Sequence, residues 1–217
     1  FLNYIMNYLS VENISKSYGE RVLFDNVSFG INKDQKIAFI AKNGSGKTTI
    51  MNMINGLDEP DTGQVVIRKE INMAFLSQNN NLQDELTIEE NIFASDNEIL
   101  KVIERYEKAL ENPNDEEAYQ RAFDDMDRHN AWDFETQFKQ ILFKLKLEDL
   151  KMKVKNMSGG QKKRLSLAII LISKPDLLIL DEPTNHLDLE MIEWLEDYFA
   201  KENITLFMVT HDRFFLE

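Results

Sequence analysis

The sequence of 217 residues contains no cysteine, which excludes disulfides and thiolate metal sites and suits a reducing cytosol. Long hydrophobic runs are missing too: the longest uninterrupted apolar stretch, residues 167–172, is far too short to span a bilayer. Residues 1–9 lack a basic flank followed by a long apolar stretch, so they do not resemble a signal peptide. We therefore expect a soluble, cytoplasmic protein with no transmembrane segment.

Basic side chains are fewer than acidic ones, 25 against 38, which gives a net charge of −13. This balance favours solubility and disfavours a broad, non-specific nucleic-acid surface. One local exception lies between residues 139 and 155, where acidic residues occur only at Glu148 and Asp149. This lysine cluster consists of Lys139, Lys144, Lys146, Lys151, Lys153 and Lys155.

Strand and helix patterns alternate along much of the chain, which predicts an α/β fold with parallel strands. Between residues 96 and 147 the pattern changes to charged, glycine-free helices that break at 112–115, where Asp115 is a candidate N-cap. Strands are predicted at 9–17, 22–31, 36–40, 65–67, 72–76, 177–180 and 205–209, the fourth and fifth as a pair. Further helices are predicted at 47–55, 158–172 and 189–199.

A glycine-rich segment follows the predicted strand 36–40 and opens a helix, reading Ala-Lys-Asn-Gly-Ser-Gly-Lys-Thr from Ala41 to Thr48. Such a loop points backbone N–H groups at phosphate oxygens, and the helix dipole adds a favourable potential. Lys47 is predicted to neutralise the β and γ phosphates, and the Thr48 hydroxyl to ligate Mg²⁺. Ala41 departs from the usual pattern, which has a glycine there. The predicted phosphate loop comprises Asn43, Gly44, Ser45, Gly46, Lys47, Thr48 and Thr49.

Two carboxylates, Asp181 and Glu182, end the apolar run at 177–180. Parallel strands bring their carboxyl ends to one edge of a sheet, so we expect both acids near the phosphate loop. Asp181 is predicted to hold magnesium through water, and Glu182 to polarise an attacking water. An apolar strand that ends in two acids is common by itself. It indicates a nucleotide site only in combination with the phosphate loop.

The segment Ser158-Gly159-Gly160-Gln161 begins an apolar helix, where adjacent glycines form an anion site. With the phosphate loop and the paired acids, it makes the sequence resemble the ATP-binding cassette (ABC) ATPases, whose signature is Ser-Gly-Gly-Gln. The resemblance implies a P-loop NTPase of the ABC type, with a mixed-sheet core, an antiparallel β subdomain and a helical subdomain. It also implies that the chain binds Mg-ATP and hydrolyses it to ADP and phosphate.

Other positions match this family one by one. Tyr18 matches the ring that stacks on adenine, Gln78 the residue that couples the metal site to the helical subdomain, and His211 the contact to the γ-phosphate. Residues 185–188 match the loop that crosses between paired domains. From the residues alone, Tyr18 is more often a strand-end core aromatic and Gln78 a solvated loop residue. The implied catalytic residues are Lys47, Gln78, Glu182 and His211, and the implied magnesium ligands are Thr48, Gln78 and Asp181.

Within the family, three roles are open: the ATPase of a transporter, a DNA-repair or chromosome-type ATPase, and a soluble translation factor of the ABC-F group. The sequence of residues 182–188 resembles the corresponding motif of ABC-F proteins, and residues 192–196 resemble the first ATPase domain of the Uup-type branch. The charged helical insert resembles the ABC-F arm, which contacts the ribosome near the exit tRNA site. An enlarged helical subdomain with a solvated face is an equal alternative, and the lysine cluster is the better candidate for touching RNA phosphates.

The resemblance spans nearly the whole chain and implies one ABC ATPase domain at 6–217. Its predicted core is 6–92 with 173–217, its helical subdomain with the insert is 93–172, and residues 1–5 are interpreted as upstream or added. In the family two cassettes face each other head to tail, so residues 158–161 would serve the nucleotide of the partner cassette. We expect this chain to be the first of two such cassettes in a longer protein.

Overall fold

The computed structural model of the chain describes residues 6–40, 46–76, 81–94 and 97–210. Its strands are β1 (Asn7–Tyr18), β2 (Arg21–Asn32), β3 (Lys36–Ile40), β4 (Thr62–Ile67), β5 (Met73–Leu76), β6 (Leu177–Asp181) and β7 (Thr205–Thr210). Its α-helices are α1 (Lys47–Ile54), α2 (Ile88–Phe93), α3 (Glu98–Glu111), α4 (Glu116–Arg128), α5 (Trp132–Lys144), α6 (Gly159–Ser173) and α7 (Leu189–Lys201). A short 3-10 helix covers Val154–Asn156.

The chain divides into two compact units. The sheet unit is Phe1–Gln78 with Pro175–Glu217, and the helical unit is Asn79–Lys174. The helical unit includes α2, which packs against α3 and lies at the end of the predicted first core segment, 6–92. Each unit carries one part of the predicted chemistry: the phosphate loop and the paired acids in the sheet unit, and residues 158–161 in the helical unit.

The first sheet of the sheet unit is antiparallel, in the order β2-β1-β4. Its central strand alternates between buried and more exposed residues, as expected for a sheet covered on one face. Leu9 lies opposite Ile31 on one side and Ile67 on the other, and its side chain is fully buried. The strands predicted at 9–17 and 22–31 are therefore confirmed as β1 and β2, which pair with each other.

The second sheet is parallel, in the order β3-β7-β6-β5. Every residue of β7 is buried, as are the first four of β6, which explains why these strands read as continuous apolar runs. The interpretation of 65–67 and 72–76 as a strand pair is wrong. β4 pairs with β1, whereas β5 pairs with β6, where parallel alignment places its apolar residues beside the most buried strands.

Helix α1 contributes to the core that joins the two sheets. Its side chains Ile50, Met51 and Ile54 are almost fully buried in a cluster that also contains Leu9 of β1 and Phe207 of β7. Burial of this much apolar surface is the main force that fixes the helix. Because α1 starts at Lys47, the packing of its apolar face also determines where the end of the predicted phosphate loop lies.

The helical unit is organised by side-chain caps. Asp115 accepts a hydrogen bond from the backbone N–H of Ala118 and caps α4, as the sequence predicted, and Asn97 caps α3 in the same way. A second break at 129–131, which the sequence pattern did not reveal, separates α4 from α5. Four half-buried rings pack across these helices with centroids 5.1–6.1 Å apart: Tyr106, Tyr119, Phe123 and Trp132.

Within the described ranges, no helix combines the length and the apolar character that crossing a membrane requires.

Replacing Gly63 by Ala should destabilise the protein strongly. Gly63 has a φ of +82°, and an added Cβ would lie 2.3 Å from the carbonyl oxygen of Glu12, so backbone must move. Gly56 is a matched control, since its φ is +71° and nothing lies within 4 Å of an added Cβ. We expect Gly56→Ala to lower the free energy of unfolding by about 1 kcal/mol, and Gly63→Ala by at least about 2 kcal/mol more, in urea titrations. Equal losses for the two variants would contradict the close contact.

Candidate nucleotide-binding site

The predicted phosphate loop ends in a glycine that the structure requires. Gly46 caps α1 with a φ of +89°, and an added Cβ would lie 2.7 Å from the Cζ atom of Phe24. Both the left-handed backbone and the close ring favour glycine at this position. Lys47 and Thr49 are buried in the first turn of α1, whereas the Thr48 side chain is exposed. Ala41, Asn43, Gly44 and Ser45 lie outside the described residues.

Lys47 forms an ion pair with the predicted water-polarising acid. Its Nζ atom lies 2.8 Å from Oε1 of Glu182, and each side chain is only 10% exposed. A charge in such a position needs a partner, because the surrounding protein solvates it less well than water does. The structure therefore brings together two residues that are 135 positions apart in the sequence and that the sequence analysis assigned to one site.

The edge of the parallel sheet places Glu182. Asp181 ends β6 and aligns with Val209 of β7, while Ile40 at the end of β3 aligns with Thr210 on the other side of the same strand. The Glu182 N–H donates to the carbonyl oxygen of Val209 at 2.8 Å. The residues before the phosphate loop and the two acids thus lie at the same edge of the sheet, on the two sides of β7, as the sequence predicted from the parallel arrangement.

Glu182 itself adopts a left-handed backbone conformation, with a φ of 48°. Such a conformation is uncommon for a residue with a Cβ and persists where surrounding contacts enforce it. The backbone bond to Val209 and the ion pair to Lys47 are two such contacts. The turn points the carboxylate toward α1 instead of continuing the strand.

The loop after Glu182 folds back in two successive turns. The Asn185 N–H donates to the Glu182 carbonyl at 3.2 Å, and the Leu187 N–H donates to the Thr184 carbonyl at 3.1 Å. Asp188 then caps α7 by accepting a hydrogen bond from Met191 N–H at 3.0 Å. Asn185 and Asp188 are exposed, so the segment predicted to cross between paired domains lies at the surface.

Tyr18 is half exposed at the end of β1, with 53% of its surface accessible. Its hydroxyl donates to Oδ2 of Asp58 at 2.8 Å, and Lys16 Nζ lies 2.8 Å from the other carboxylate oxygen. The hydrogen bonds from Lys16 and from Tyr18 lower the pKa of Asp58, and the hydrogen bond to Asp58 raises the pKa of Lys16. The strand-end interpretation of Tyr18 as a core aromatic is therefore incorrect, because its ring is not buried.

Lys16 and Asp58 were not predicted from the sequence. Lys16 and Tyr18 lie two apart on a strand, and a run of acids occurs at the turn 58–61, which gives a signal of charge complementarity. The two segments are 42 residues apart, and sequence alone does not show that the chain after α1 returns to the end of β1.

In the helical unit, Ser158 and Gln161 form a capping box at the start of α6. The Gln161 N–H donates to Ser158 Oγ at 3.2 Å, and the Ser158 N–H donates to Gln161 Oε1 at 2.8 Å. Gly159 begins the helix, and nothing lies within 4 Å of an added Cβ there. Gly160 follows it in the first turn. The sequence correctly predicted a helix start at these residues, and such a start is suited to anions.

Three of the six lysines in the cluster of residues 139–155 pair with carboxylates. Lys139 pairs with Glu107 and Glu135, and the paired acids are less exposed than the lysine. Lys151 lies 2.7 Å from Glu89 and 2.9 Å from Glu111, and Lys155 lies 2.9 Å from Glu85. The electrostatic potential around these lysines is thus less positive than the sequence of the cluster suggests.

Two other predicted site residues, Gln78 and His211, lie outside the described residues. Of the predicted magnesium ligands, Thr48 offers an exposed hydroxyl at the start of α1, and Asp181 offers a carboxylate at the end of β6. Oxygen donors of this kind suit Mg²⁺, which is usually held by one or two protein groups together with phosphates and water. Across the described ranges, no three His, Cys, Asp or Glu side chains form a group that could hold a metal ion.

A sequence model described as ABC transporter matches residues 24–185, which include Lys47, the signature segment and the paired acids. The chain belongs to the ABC transporter family. The family assignment agrees with the resemblance recognised from the phosphate loop, the signature and the acids.

Named ABC proteins resemble almost the whole chain. It is 41% identical over 218 residues to the uncharacterized ABC transporter ATP-binding protein YfmR of Bacillus subtilis (strain 168), covering 97% of this chain and 35% of that protein. It is 33% identical over 214 residues to the energy-dependent translational throttle protein EttA of Mycobacterium tuberculosis, covering 96% and 38%. It is 37% identical over 227 residues to ABC transporter F family member 2 of Arabidopsis thaliana, covering 98% and 34%. The chain therefore spans little more than a third of each of these relatives.

Solved structures share the fold. An ATP-binding cassette of an ABC transporter in its ADP conformation matches with a TM-score of 0.61 and 25% identity, covering 95% of this chain and 82% of that one. An ATP-binding subunit of an ABC transporter matches with a TM-score of 0.65 and 23% identity, covering 94% and 79%. The predicted α/β class, with an antiparallel sheet, a parallel sheet and a helical subdomain, is confirmed.

Removing the ammonium of Lys47 should destabilise the nucleotide-free ABC domain. Lys47→Met leaves the Glu182 carboxylate 10% exposed without this ion pair, so we expect the free energy of unfolding in urea to fall by about 2 kcal/mol or more. Adding Glu182→Gln to Lys47→Met should recover at least half of that loss, since it also removes the shielded negative charge of Glu182. Lys155→Met is the control, because its pair with Glu85 is exposed and should matter little. If the single and double variants prove equally stable, the pair does not stabilise the resting site.

Proposed function

We propose that this chain binds ATP together with magnesium and hydrolyses it to ADP and phosphate. The observation that carries the proposal is the buried Lys47–Glu182 pair at the edge of the parallel sheet. A lysine at the start of a helix is suited to bind phosphate, and an acid beside it is suited to orient water. The arrangement matches the reaction class of phosphoryl transfer to water.

In this proposal, nucleotide binding exchanges one ionic partner for another. Lys47 leaves Glu182 for the β and γ phosphates, which together carry more negative charge than one carboxylate. N–H groups of the phosphate loop complete the anion site. Glu182 is thereby released to accept a hydrogen bond from the attacking water. Bound magnesium, ligated by Thr48 and held through water by Asp181, would neutralise charge on the phosphates. We assign Gln78 to the metal side of the site and His211 to the γ-phosphate on the basis of the family resemblance.

We further propose that the site is completed by a second cassette. Residues 158–161 form a helix start in the helical unit. They would bind the γ-phosphate of the nucleotide that the opposing cassette holds. The exposed loop 185–188 would then contact the partner. Hydrolysis by this chain alone should be slow at low concentration, because positioning and charge stabilisation both need the opposing signature.

The role that we propose is the first cassette of a cytoplasmic ABC-F factor that acts with the ribosome and its tRNA and rRNA. Support comes from the similarity to an energy-dependent translational throttle protein and to an ABC transporter F family member. The charged helices α3–α5 lie where the resemblance implies an arm, and residues 192–196 favour the Uup-type branch. Because several lysines of the cluster are paired, an arm contact to RNA would have to compete with these carboxylates.

The alternative is the ATPase subunit of an ABC transporter. It is favoured by the name of the relative YfmR and by the two transporter cassettes that share the fold. The two roles differ in the rest of the protein: a second cassette following this one supports the translation factor, whereas separate membrane-embedded partners support transport.

Glu182→Gln should separate binding from hydrolysis. The amide keeps the size of the side chain but releases Lys47 and cannot polarise water as a carboxylate does. In the longer protein we expect kcat for phosphate release to fall at least about 100-fold, with ATP affinity kept or increased in calorimetry. The control is Glu193→Gln, the same change at an exposed position of α7. Loss of ATP binding in Glu182→Gln would assign the acid a structural role instead.

Ribosome co-sedimentation tests the proposed translation role. The full-length protein carrying Glu182→Gln and the matching change in its second cassette should pellet with ribosomes in ATP and stay in the supernatant without nucleotide. The variant should hold the ATP-bound state because hydrolysis is blocked. A protein that never pellets with ribosomes, whatever the nucleotide, would leave ATP binding in place and favour the transporter alternative.

A further inference from the structure

We propose that Asp58 is a positioning residue for the base of the nucleotide, acting by holding the ring of Tyr18. The inference rests on the proposed function, in which Tyr18 stacks on adenine. Neither the sequence patterns nor the family resemblance singled out Asp58 or its partner Lys16. Both were found from the contacts at the end of β1.

The ring of Tyr18 is exposed but tethered. More than half of the side chain is accessible, and an exposed tyrosine ordinarily samples several rotamers. Here the hydroxyl donates to Oδ2 of Asp58 at 2.8 Å, which fixes the far end of the ring. A hydrogen bond to a carboxylate is stronger than one to a neutral acceptor, so the tether restricts the ring effectively.

Lys16 fixes the carboxylate in turn. Lys16 is only 8% exposed, and its Nζ atom donates to Oδ1 of Asp58 at 2.8 Å and to the carbonyl oxygen of Glu59 at 2.6 Å. The same Oδ1 atom also accepts the Glu59 N–H at 2.8 Å. Both oxygens of the carboxylate are therefore engaged, one by Tyr18 and the other by Lys16 and the backbone.

Two hydrogen bonds, one to a side chain and one between backbone groups, hold the turn 58–61 against β1. The Ser17 N–H donates to Oδ2 of Asp61 at 2.7 Å, and the Asp61 N–H donates to the carbonyl oxygen of Ser15 at 2.9 Å. The turn and the strand end thus form one hydrogen-bonded frame around Tyr18. Such a frame reduces the entropy that a ring loses when a ligand orders it.

The frame is also joined to the phosphate end of the site. The N–H groups of Leu57 and Asp58 both donate to the carbonyl oxygen of Asn52, in the helix that begins at Lys47. On the strand side, Lys16 lies opposite Phe24, whose ring blocks a Cβ at Gly46. These contacts therefore fix the position of Tyr18 relative to α1, the helix that carries Lys47.

Lys16 also leaves one face of the ring for a base. Its ammonium lies over the Tyr18 ring, 5.4 Å from the centroid. A cation on one face directs an aromatic ligand to the opposite face, which is where we place the adenine. The frame would thus select both the position of the ring and the face that it offers.

The test compares ATP with inorganic tripolyphosphate, which has the phosphates and no base, by calorimetry on this chain. Asp58→Asn should weaken ATP binding about three- to tenfold and leave tripolyphosphate binding within about twofold. Tyr18→Phe removes the same hydrogen bond from the other side without touching Lys16, and should match it. The double variant Tyr18→Phe with Asp58→Asn should be no weaker than either single variant. Glu59→Gln is the control, an acid-to-amide change at an exposed side chain of the same turn.

Tyr18→Ala distinguishes failure of this inference from failure of the proposed base contact. It should weaken ATP binding about tenfold or more, since it removes the stacking surface. If Tyr18→Ala weakens ATP binding but Asp58→Asn and Tyr18→Phe do not, Asp58 does not position the ring. If Tyr18→Ala leaves ATP binding unchanged, the stacking role itself is wrong. Equal weakening of ATP and tripolyphosphate by Asp58→Asn would mean that Asp58 acts on the phosphate helix, which also overturns the inference.

Discussion

The ion pair between Lys47 and Glu182 is the interaction on which the candidate site depends. It joins the first turn of α1 to the turn after β6, and both side chains are shielded from water to the same extent. A shielded ammonium or carboxylate is unfavourable without a partner, and in the proposed mechanism a nucleotide takes over this contact with Lys47. The resting structure thus holds the two side chains together at the edge of the parallel sheet.

Strand order makes that pair possible. β7 lies between β3 and β6, so the chain leading to the phosphate loop and the chain leading to Glu182 leave the sheet at nearby strand ends. The left-handed turn at Glu182 then directs the acid toward α1, and the backbone bond to Val209 holds the turn. The buried apolar residues of β6 and β7 therefore support the chemistry indirectly, by fixing the edge from which the acid projects.

Much of this architecture could be predicted from the sequence, because local signals were strong. The start of α1, the Ser158 helix start and the Asp115 cap depend on residues a few positions apart, and the apolar runs indicated buried parallel strands. Apart from the Lys47–Glu182 pair, pairings between distant segments could not be predicted. β4 and β5 are close in the sequence yet belong to different sheets, and the Lys16–Asp58 contact joins two segments that share only opposite charge. Local propensity sets the elements, whereas their partners depend on the packing of the whole core.

The division into two units bears on how hydrolysis could be coupled to the rest of the protein. The groups proposed for base, phosphate and water lie in the sheet unit, whereas the signature segment lies in the helical unit, whose own ion pairs and ring contacts make it internally cohesive. The chain passes between the units at only two places, after Gln78 and after Lys174. In the proposed mechanism, a change at the phosphates would reach the helical unit through these two backbone connections, which join the unit proposed to bind the nucleotide to the unit that carries the signature segment.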